Sequence, residues 1–107
     1  MEIPLDTLSF SRLRFANATR SFEAFPVCRN WTIADWACAL AGEAGEVCDA
    51  VKKIRRGEGS VEAVMKELAD VVLYADLLAN FLNRDLGAAV REKFNEVSAR
   101  RGYPATL

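Results

Sequence analysis

No histidine occurs in the 107 residues, which removes the commonest general base and the commonest transition-metal ligand. Cysteine is scarce and odd in number. Cys28, Cys38 and Cys48 stand at ten-residue intervals, a spacing that matches neither the close ligand pairs of a zinc site nor a disulfide framework. They read as small packing residues in a reducing compartment. There is no excess of either charge: 14 basic and 15 acidic side chains leave a formal net charge of -1, which gives no support to non-specific binding of nucleic acid or of an acidic membrane surface. The most apolar stretch, Val71 to Leu82, is too short to span a bilayer and contains Asp76 and Asn80. Met1 to Asp6 lacks the basic and apolar regions of a signal peptide. The expectation is a soluble, cytoplasmic protein with neither a nucleic-acid nor a membrane partner.

Alternating strand-type patterns of useful length are missing too, and the apolar spacing that is present is helical. With 51% hydrophobic and 27% charged residues, the chain suits a globular protein, and its length suits one domain over 1–107. A first helix is expected from about Thr7 to Phe22, where Leu8, Phe15 and Phe22 recur every seven residues, until Pro26 and the segment to Trp31 break it. Thr32 followed by Asp35 resembles a capping box and starts a second helix. Ile33, Leu40, Val47 and Ile54 then form a seven-residue repeat, which Arg56-Gly57-Glu58-Gly59 ends in a turn. Ser60 caps a third helix, with Glu62 in its first turn. Its stripe of Val64, Leu68, Val71, Ala75, Leu78 and Leu82, with Leu73, Leu77 and Phe81 outside it, makes this helix apolar nearly all round. Asp85 caps a fourth helix that ends near Arg101, before Gly102 and Pro104. The fold class expected is all-α, a four-helix bundle. Apolar residues on more than one face of several helices further imply packing against another copy.

Two acidic pairs stand out. Glu43 and Glu46 lie three apart in Gly42-Glu43-Ala44-Gly45-Glu46. At 100° per residue, Glu43 falls about 60° from Leu40 and about 40° from Val47, within the apolar stripe, between Trp36 and Ala50. Glu46 sits at the edge of that stripe. Each glycine within a helix costs about 1 kcal/mol relative to alanine, so Gly42 and Gly45 suggest the close approach of another backbone or a ligand. Glu67 and Asp70 are likewise three apart, with Tyr74 between them in angle one turn on. If the second and third helices are antiparallel neighbours, both pairs face one gap. Two unit charges 4 Å apart cost about 4 kcal/mol at an effective dielectric of 20. Such a cluster must bind cations, take up protons or pair with basic residues. A hard cation with oxygen ligands answers the repulsion, and Mg²⁺ held by carboxylates usually serves phosphate chemistry. A ferritin-like di-iron site requires Glu-x-x-His, and there is no histidine. Spacing alone still leaves the alternative of solvated surface acids open.

The wording around these acids resembles a known family. Asp35-Trp36-Ala37-Cys38-Ala39-Leu40-Ala41-Gly42-Glu43-Ala44-Gly45-Glu46, followed by Lys52-Lys53, looks like the first metal helix of MazG-like nucleotide pyrophosphohydrolases. Lys66-Glu67-Leu68-Ala69-Asp70-Val71-Val72-Leu73-Tyr74 is similar to their second metal motif, E-x-x-D, and Lys93-Phe94-Asn95 and Arg101-Gly102-Tyr103-Pro104 to their C-terminal segment. The resemblance covers about Trp31 to Pro104. It implies an all-α hydrolase, a homodimer or homotetramer, that cleaves nucleoside triphosphates, often deoxy ones, to the monophosphate and pyrophosphate. It also implies that Glu43, Glu46, Glu67 and Asp70 ligate Mg²⁺, with Mn²⁺ a possible substitute. Glu43 and Glu46 are the catalytic candidates, since water attacking the α-phosphorus is activated by the metal or by one of these acids. On charge and position, Lys53, Lys93 and Arg101 are candidates for the phosphates, with Lys93 placed on the inward side of the fourth helix after Val90. Lys52 and Arg56 are candidates for which a solvated helix face serves as well, and Asn95 is a weaker one. The related dCTP pyrophosphatases resemble the chain at Arg29-Asn30 and Tyr74, but their base-stacking tryptophans do not line up here: Phe22 stands in one place and a lysine, Lys53, in the other. Phe22, Asn30, Trp31 and Tyr74 are the base-binding candidates, Trp36 and Phe81 are assigned to the core, and the base is left open. The rival reading is a non-catalytic helical module that binds nucleotides or another protein, motivated by the apolar third helix.

Overall fold

A computed structural model describes residues 8–107. The expected helix start at Thr7 and the reading of Met1 to Asp6 lie outside the described residues. Four α-helices follow in order: α1, Phe10–Ala24; α2, Ile33–Arg55; α3, Val61–Phe81; and α4, Leu86–Arg100. There is no strand among the described residues. The segment expected to break the chain between α1 and α2 forms a short 3-10 turn, Pro26–Asn30.

Local chemistry accounts for the helix ends. Ser9, Thr32, Ser60 and Asp85 each accept a hydrogen bond from a backbone N–H of the first turn they precede. At α2 the arrangement is reciprocal: the Thr32 N–H donates to Asp35 Oδ2 at 2.8 Å, and the Asp35 N–H donates to Thr32 Oγ1 at 3.2 Å. Helices α2, α3 and α4 all close with paired backbone bonds from the two residues past the cap. At α3 the Asn83 N–H donates to Asn80 O and the Arg84 N–H to Ala79 O, both at 2.9 Å. That closure puts the residue after the cap in the left-handed region, which Gly57 and Gly102 adopt freely and Asn83, at φ 56°, tolerates.

Helices α2 and α3 form an antiparallel hairpin that carries most of the packing. Helix α1 crosses α3, while α4 touches α1 and α3 and makes no contact with α2. What fixes α1 on α3 is polar. Asp76, 1% exposed, accepts from Arg14 Nε at 3.1 Å and from Asn17 Nδ2 at 3.1 Å, and Asn17 Nδ2 also donates to Leu73 O at 2.9 Å.

Apolar packing within one chain is slight. Trp36, Ala50 and Leu77 are the buried apolar residues among those described. The Leu8, Phe15, Phe22 repeat of α1 faces away from α3, with Phe15 77% exposed. Leu68 and Leu82 of the expected α3 stripe are exposed as well, beside Val61, Met65, Val72 and Phe81. The expected multi-sided burial of α3 is met only in part within one chain: α2 and α1 leave Val64, Val71, Ala75 and Leu78 half-buried and Asp76 and Leu77 buried, while the first half of the helix and its C-terminal end keep an open face. The radius of gyration, 16.3 Å, exceeds the roughly 13 Å typical of a compact domain of this length. The hairpin and its two flanking helices thus leave broad apolar faces open.

Candidate metal and nucleotide site

The hairpin positions the acids. Trp36 and Ala50, seven residues either side of Glu43, are the buried residues of α2, so Glu43 is held half-buried on the face turned towards α3. Glu46, one turn on, is exposed, and α3 presents Glu67 from across the hairpin. One carboxylate oxygen from each of Glu43, Glu46 and Glu67 lies within 4.8 Å of the others. Asp70 stands outside this tight group, at its rim, yet its charge reaches both Glu43 and Glu67.

The electrostatics follow from that crowding. Burial pushes the Glu43 carboxyl up from the usual carboxylate range, helped by the charges of Glu46 and Asp70 and by a shared-proton contact with Glu46. Glu67 is raised first by such a contact with Glu46, then by burial and by the charges of Glu46, Asp70 and Glu43. A bond between two carboxyls needs a proton on one of them. As carboxylates neither can donate, and Glu43 Oε2 and Glu67 Oε2 are then buried oxygens with no hydrogen-bond donor.

A hard divalent cation fits this set. The donors are all oxygen, three converge, and two of them are shielded from water and unsatisfied. Cation and proton must compete for the same oxygens. Raised acids bind protons at higher pH than free ones, so divalent-ion affinity should weaken as pH falls, starting above the ordinary carboxylate range. Calorimetric titration with Mg²⁺ between pH 8 and pH 5 checks this, and an affinity flat across that range would contradict it.

Other sequence candidates fall in varied places. Lys53 lies two turns beyond Glu46 on nearly the same face of α2, about 10.5 Å along the axis. Lys93 is not on an inward face: its side chain is 65% exposed and pairs with Glu96 at 3.5 Å, and Val90 is exposed too. Arg101 caps the same helix, α4. Because α4 makes no contact with α2, one chain does not bring Lys93 or Arg101 against Glu43 and Glu46. Arg56 pairs with Glu58 at 3.5 Å, and Lys52 is exposed. Asn95 is committed elsewhere, donating to Leu107 O at 3.3 Å and accepting from the Leu107 N–H at 2.8 Å. Gly42 and Gly45 have open space where a side chain would stand, so no backbone of the same chain approaches them as their presence suggested.

Beside Asp70 opens a cavity of about 190 Å³, lined by Asn17, Arg20, Ser21 and Phe25 of α1 and its C-cap, Cys28, Trp36, and Asp70, Leu73, Tyr74 and Leu77 of α3. Of the four base-binding candidates only Tyr74 lines it. Its hydroxyl is pushed up by burial and by the surrounding charges, Glu43 foremost, which places it between cavity and acids. Phe22 carries the Arg29 guanidinium over its ring at 4.2 Å, Trp31 meets Trp36 edge to face at 4.6 Å, and Asn30 ends the 3-10 turn, exposed. The cavity residues on α1 escaped sequence reasoning because that helix was read by its apolar heptad, which faces outward. The available signal was the polar spacing of Arg14, Asn17 and Ser21 at i, i+3 and i+7, opposite a lone acid, Asp76, in the most apolar stretch.

Comparison with known proteins gives one family match. The sequence model of the MazG nucleotide pyrophosphohydrolase domain matches residues 32–100, which include both acidic pairs. The Gene 37 protein of Mycobacterium phage L5 is 35% identical over 68 residues, 58% of this chain and 60% of that protein. The chain thus spans about three-fifths of the curated relative it matches. No solved structure gives a significant match. Among the described residues no helix is long and apolar enough to cross a membrane.

Proposed function

The chain belongs to the MazG nucleotide pyrophosphohydrolase family, and from that premise we propose that it hydrolyses nucleoside triphosphates, deoxy forms among them, to the monophosphate and pyrophosphate. The role would be cleansing of the nucleotide pool. The observation that carries this reading is the pair of buried, donorless oxygens, Glu43 Oε2 and Glu67 Oε2, inside a cluster of three converging acids. A cation or a proton relieves such a pair, and the two compete for the same oxygens.

Glu43, Glu46, Glu67 and Asp70 would hold the ion, Mg²⁺ by preference and Mn²⁺ as a substitute. When bound, the metal neutralises phosphate charge and lowers the pKa of water. Glu46, the exposed member, or Glu43 beside it takes the proton of the attacking water. The water oxygen bonds to the α-phosphorus as the bond from that phosphorus to the bridging oxygen breaks, and pyrophosphate leaves with that oxygen. Lys53 is placed to meet the outer phosphates. Lys93 and Arg101 would contribute only from a second copy, which the open apolar faces of α2, α3 and α4 make reasonable.

Incubation of the folded protein with the canonical nucleoside and deoxynucleoside triphosphates plus Mg²⁺ should yield equal amounts of monophosphate and pyrophosphate. No turnover of any of them would defeat the proposal and leave the non-catalytic module. Self-association to a homodimer or homotetramer is expected in sedimentation at micromolar concentration. A folded monomer under those conditions would remove the second copy from the site.

A further inference from the structure

We propose that the cavity beside Asp70 selects bases that carry an amino group rather than a carbonyl at C4 of a pyrimidine or C6 of a purine, and that Asn17 is the residue that selects them. The inference rests on the triphosphate reading above and adds to it the part of the substrate that the acids do not touch.

Asn17 is 4% exposed and lines the cavity. Its amide cannot turn over. Leu73 O and the Asp76 carboxylate are both acceptors, and Asn17 Nδ2 donates one hydrogen to each, at 2.9 Å and 3.1 Å. Asp76 is itself held from its other oxygen by Arg14. Flipping the Asn17 amide would set its carbonyl oxygen against two acceptors in a buried site, a loss of two hydrogen bonds with added repulsion. The polar group its side chain has left for the cavity is therefore Oδ1, a fixed acceptor.

A fixed acceptor on a partly apolar wall discriminates by refusal as much as by attraction. Phe25, Trp36, Leu73 and Leu77 line part of the space and supply apolar contact without hydrogen bonds. An amino group, N4 of cytosine or N6 of adenine, is a donor and pairs with Oδ1. The carbonyl at the same place in uracil, thymine or hypoxanthine is an acceptor and faces Oδ1 unpaired. Arg20 and Ser21, on the cavity wall, are free to adapt to the ring acceptors of either amino base and so do not set the choice. Asp70 and Tyr74 line the cavity on the side on which the acids stand, so a base seated in it with its sugar on that side directs its phosphates towards the acids.

The experiment compares pairs that differ only in the group that Asn17 would read. With the wild-type protein and Mg²⁺, kcat/KM should be at least about tenfold higher for dCTP than for dUTP, and for dATP than for dITP, a tenfold ratio being about 1.4 kcal/mol. Preference in the cytosine pair alone, or in the adenine pair alone, identifies which ring the cavity admits, and either supports the inference. Turnover with ratios near one in both pairs, or favouring the carbonyl members, overturns it while leaving the hydrolase reading standing. If no triphosphate is turned over, the hydrolase reading fails, and calorimetry with dCMP against dUMP and dAMP against dIMP still decides the cavity: no preference for either amino member overturns it. Asn17→Ala should collapse the ratio chiefly by admitting the carbonyl member. Because that variant also exposes Asp76 to a lost partner, the wild-type panel stands as the deciding measurement.

Discussion

Glu43→Gln is expected to lower pyrophosphate release on the order of a hundred- to a thousandfold, while leaving the metal-free fold as stable as before or more so. The two halves of this expectation have one cause. Glu43 lies between Trp36 and Ala50 on the buried face of α2, and its carboxyl is raised by burial and by Glu46 and Asp70. Replacing it with an isosteric amide removes one negative charge from a crowded set and adds a donor that can satisfy a neighbouring carboxylate. Repulsion in the metal-free protein falls. The same change deletes an anionic ligand and one of the two candidate bases. Wild-type protein should gain thermal stability from Mg²⁺, by about 2.7 kcal/mol at a hundred times the dissociation constant, and Glu43→Gln should gain much less. Pyrophosphate assays at saturating Mg²⁺ and melts with and without EDTA measure both halves. Retained turnover would remove Glu43 from the chemistry, and a lower melting temperature in EDTA would make its role structural.

How far the sequence disclosed this molecule depends on which interactions are local. Thr32 with Asp35, Ser60, Asp85 and Gly102 all act within a few residues, and the helix ends they mark were legible where the structure has them; α1, expected from about Thr7 to Phe22, instead runs from Phe10 behind the Ser9 cap to Ala24. The Glu43 position was legible too, since seven-residue spacing to Trp36 and Ala50 is a property of one helix. Residues whose surroundings come from another helix were not. Lys93 was read as inward from Val90 alone, yet α4 lies against α1 and α3 with both residues in solvent. Phe15 and Phe22 repeat as a core stripe should, and are exposed because α1 meets α3 through Arg14 and Asn17 instead. Hydrophobic period tells which face avoids water. It does not tell whether the same chain or a second copy covers that face, and in this protein much of the apolar surface stays open within one chain.

Asp76→Ala should cost about 3–5 kcal/mol, because it removes one partner of a buried, hydrogen-bonded ion pair. In a domain of this size that is a fall of about 4–8 °C in melting temperature for each kcal/mol, set against a typical total stability of about 5–15 kcal/mol. Asp76 is 1% exposed and joins α1 to α3 through Arg14 and Asn17. With so few apolar residues buried between those helices, little else holds α1 in place. Arg14→Leu alone should also destabilise, by leaving the Asp76 charge with Asn17 as its remaining partner. The double variant Asp76→Leu, Arg14→Leu should recover much of either loss, since an apolar pair of similar size needs no compensating charge. Denaturant midpoints for Asp76→Leu, Arg14→Leu and the double variant measure the coupling, and losses below about 1 kcal/mol in Asp76→Ala and Arg14→Leu would show that the pair is not what fixes α1. The recovered double variant then separates stability from selectivity. It is folded, but its Asn17 amide has lost one of the two acceptors that kept Nδ2 turned away from the cavity, Leu73 O alone remaining. Its acids are untouched, so it should still release pyrophosphate, and its preference for amino over carbonyl bases should fall towards one.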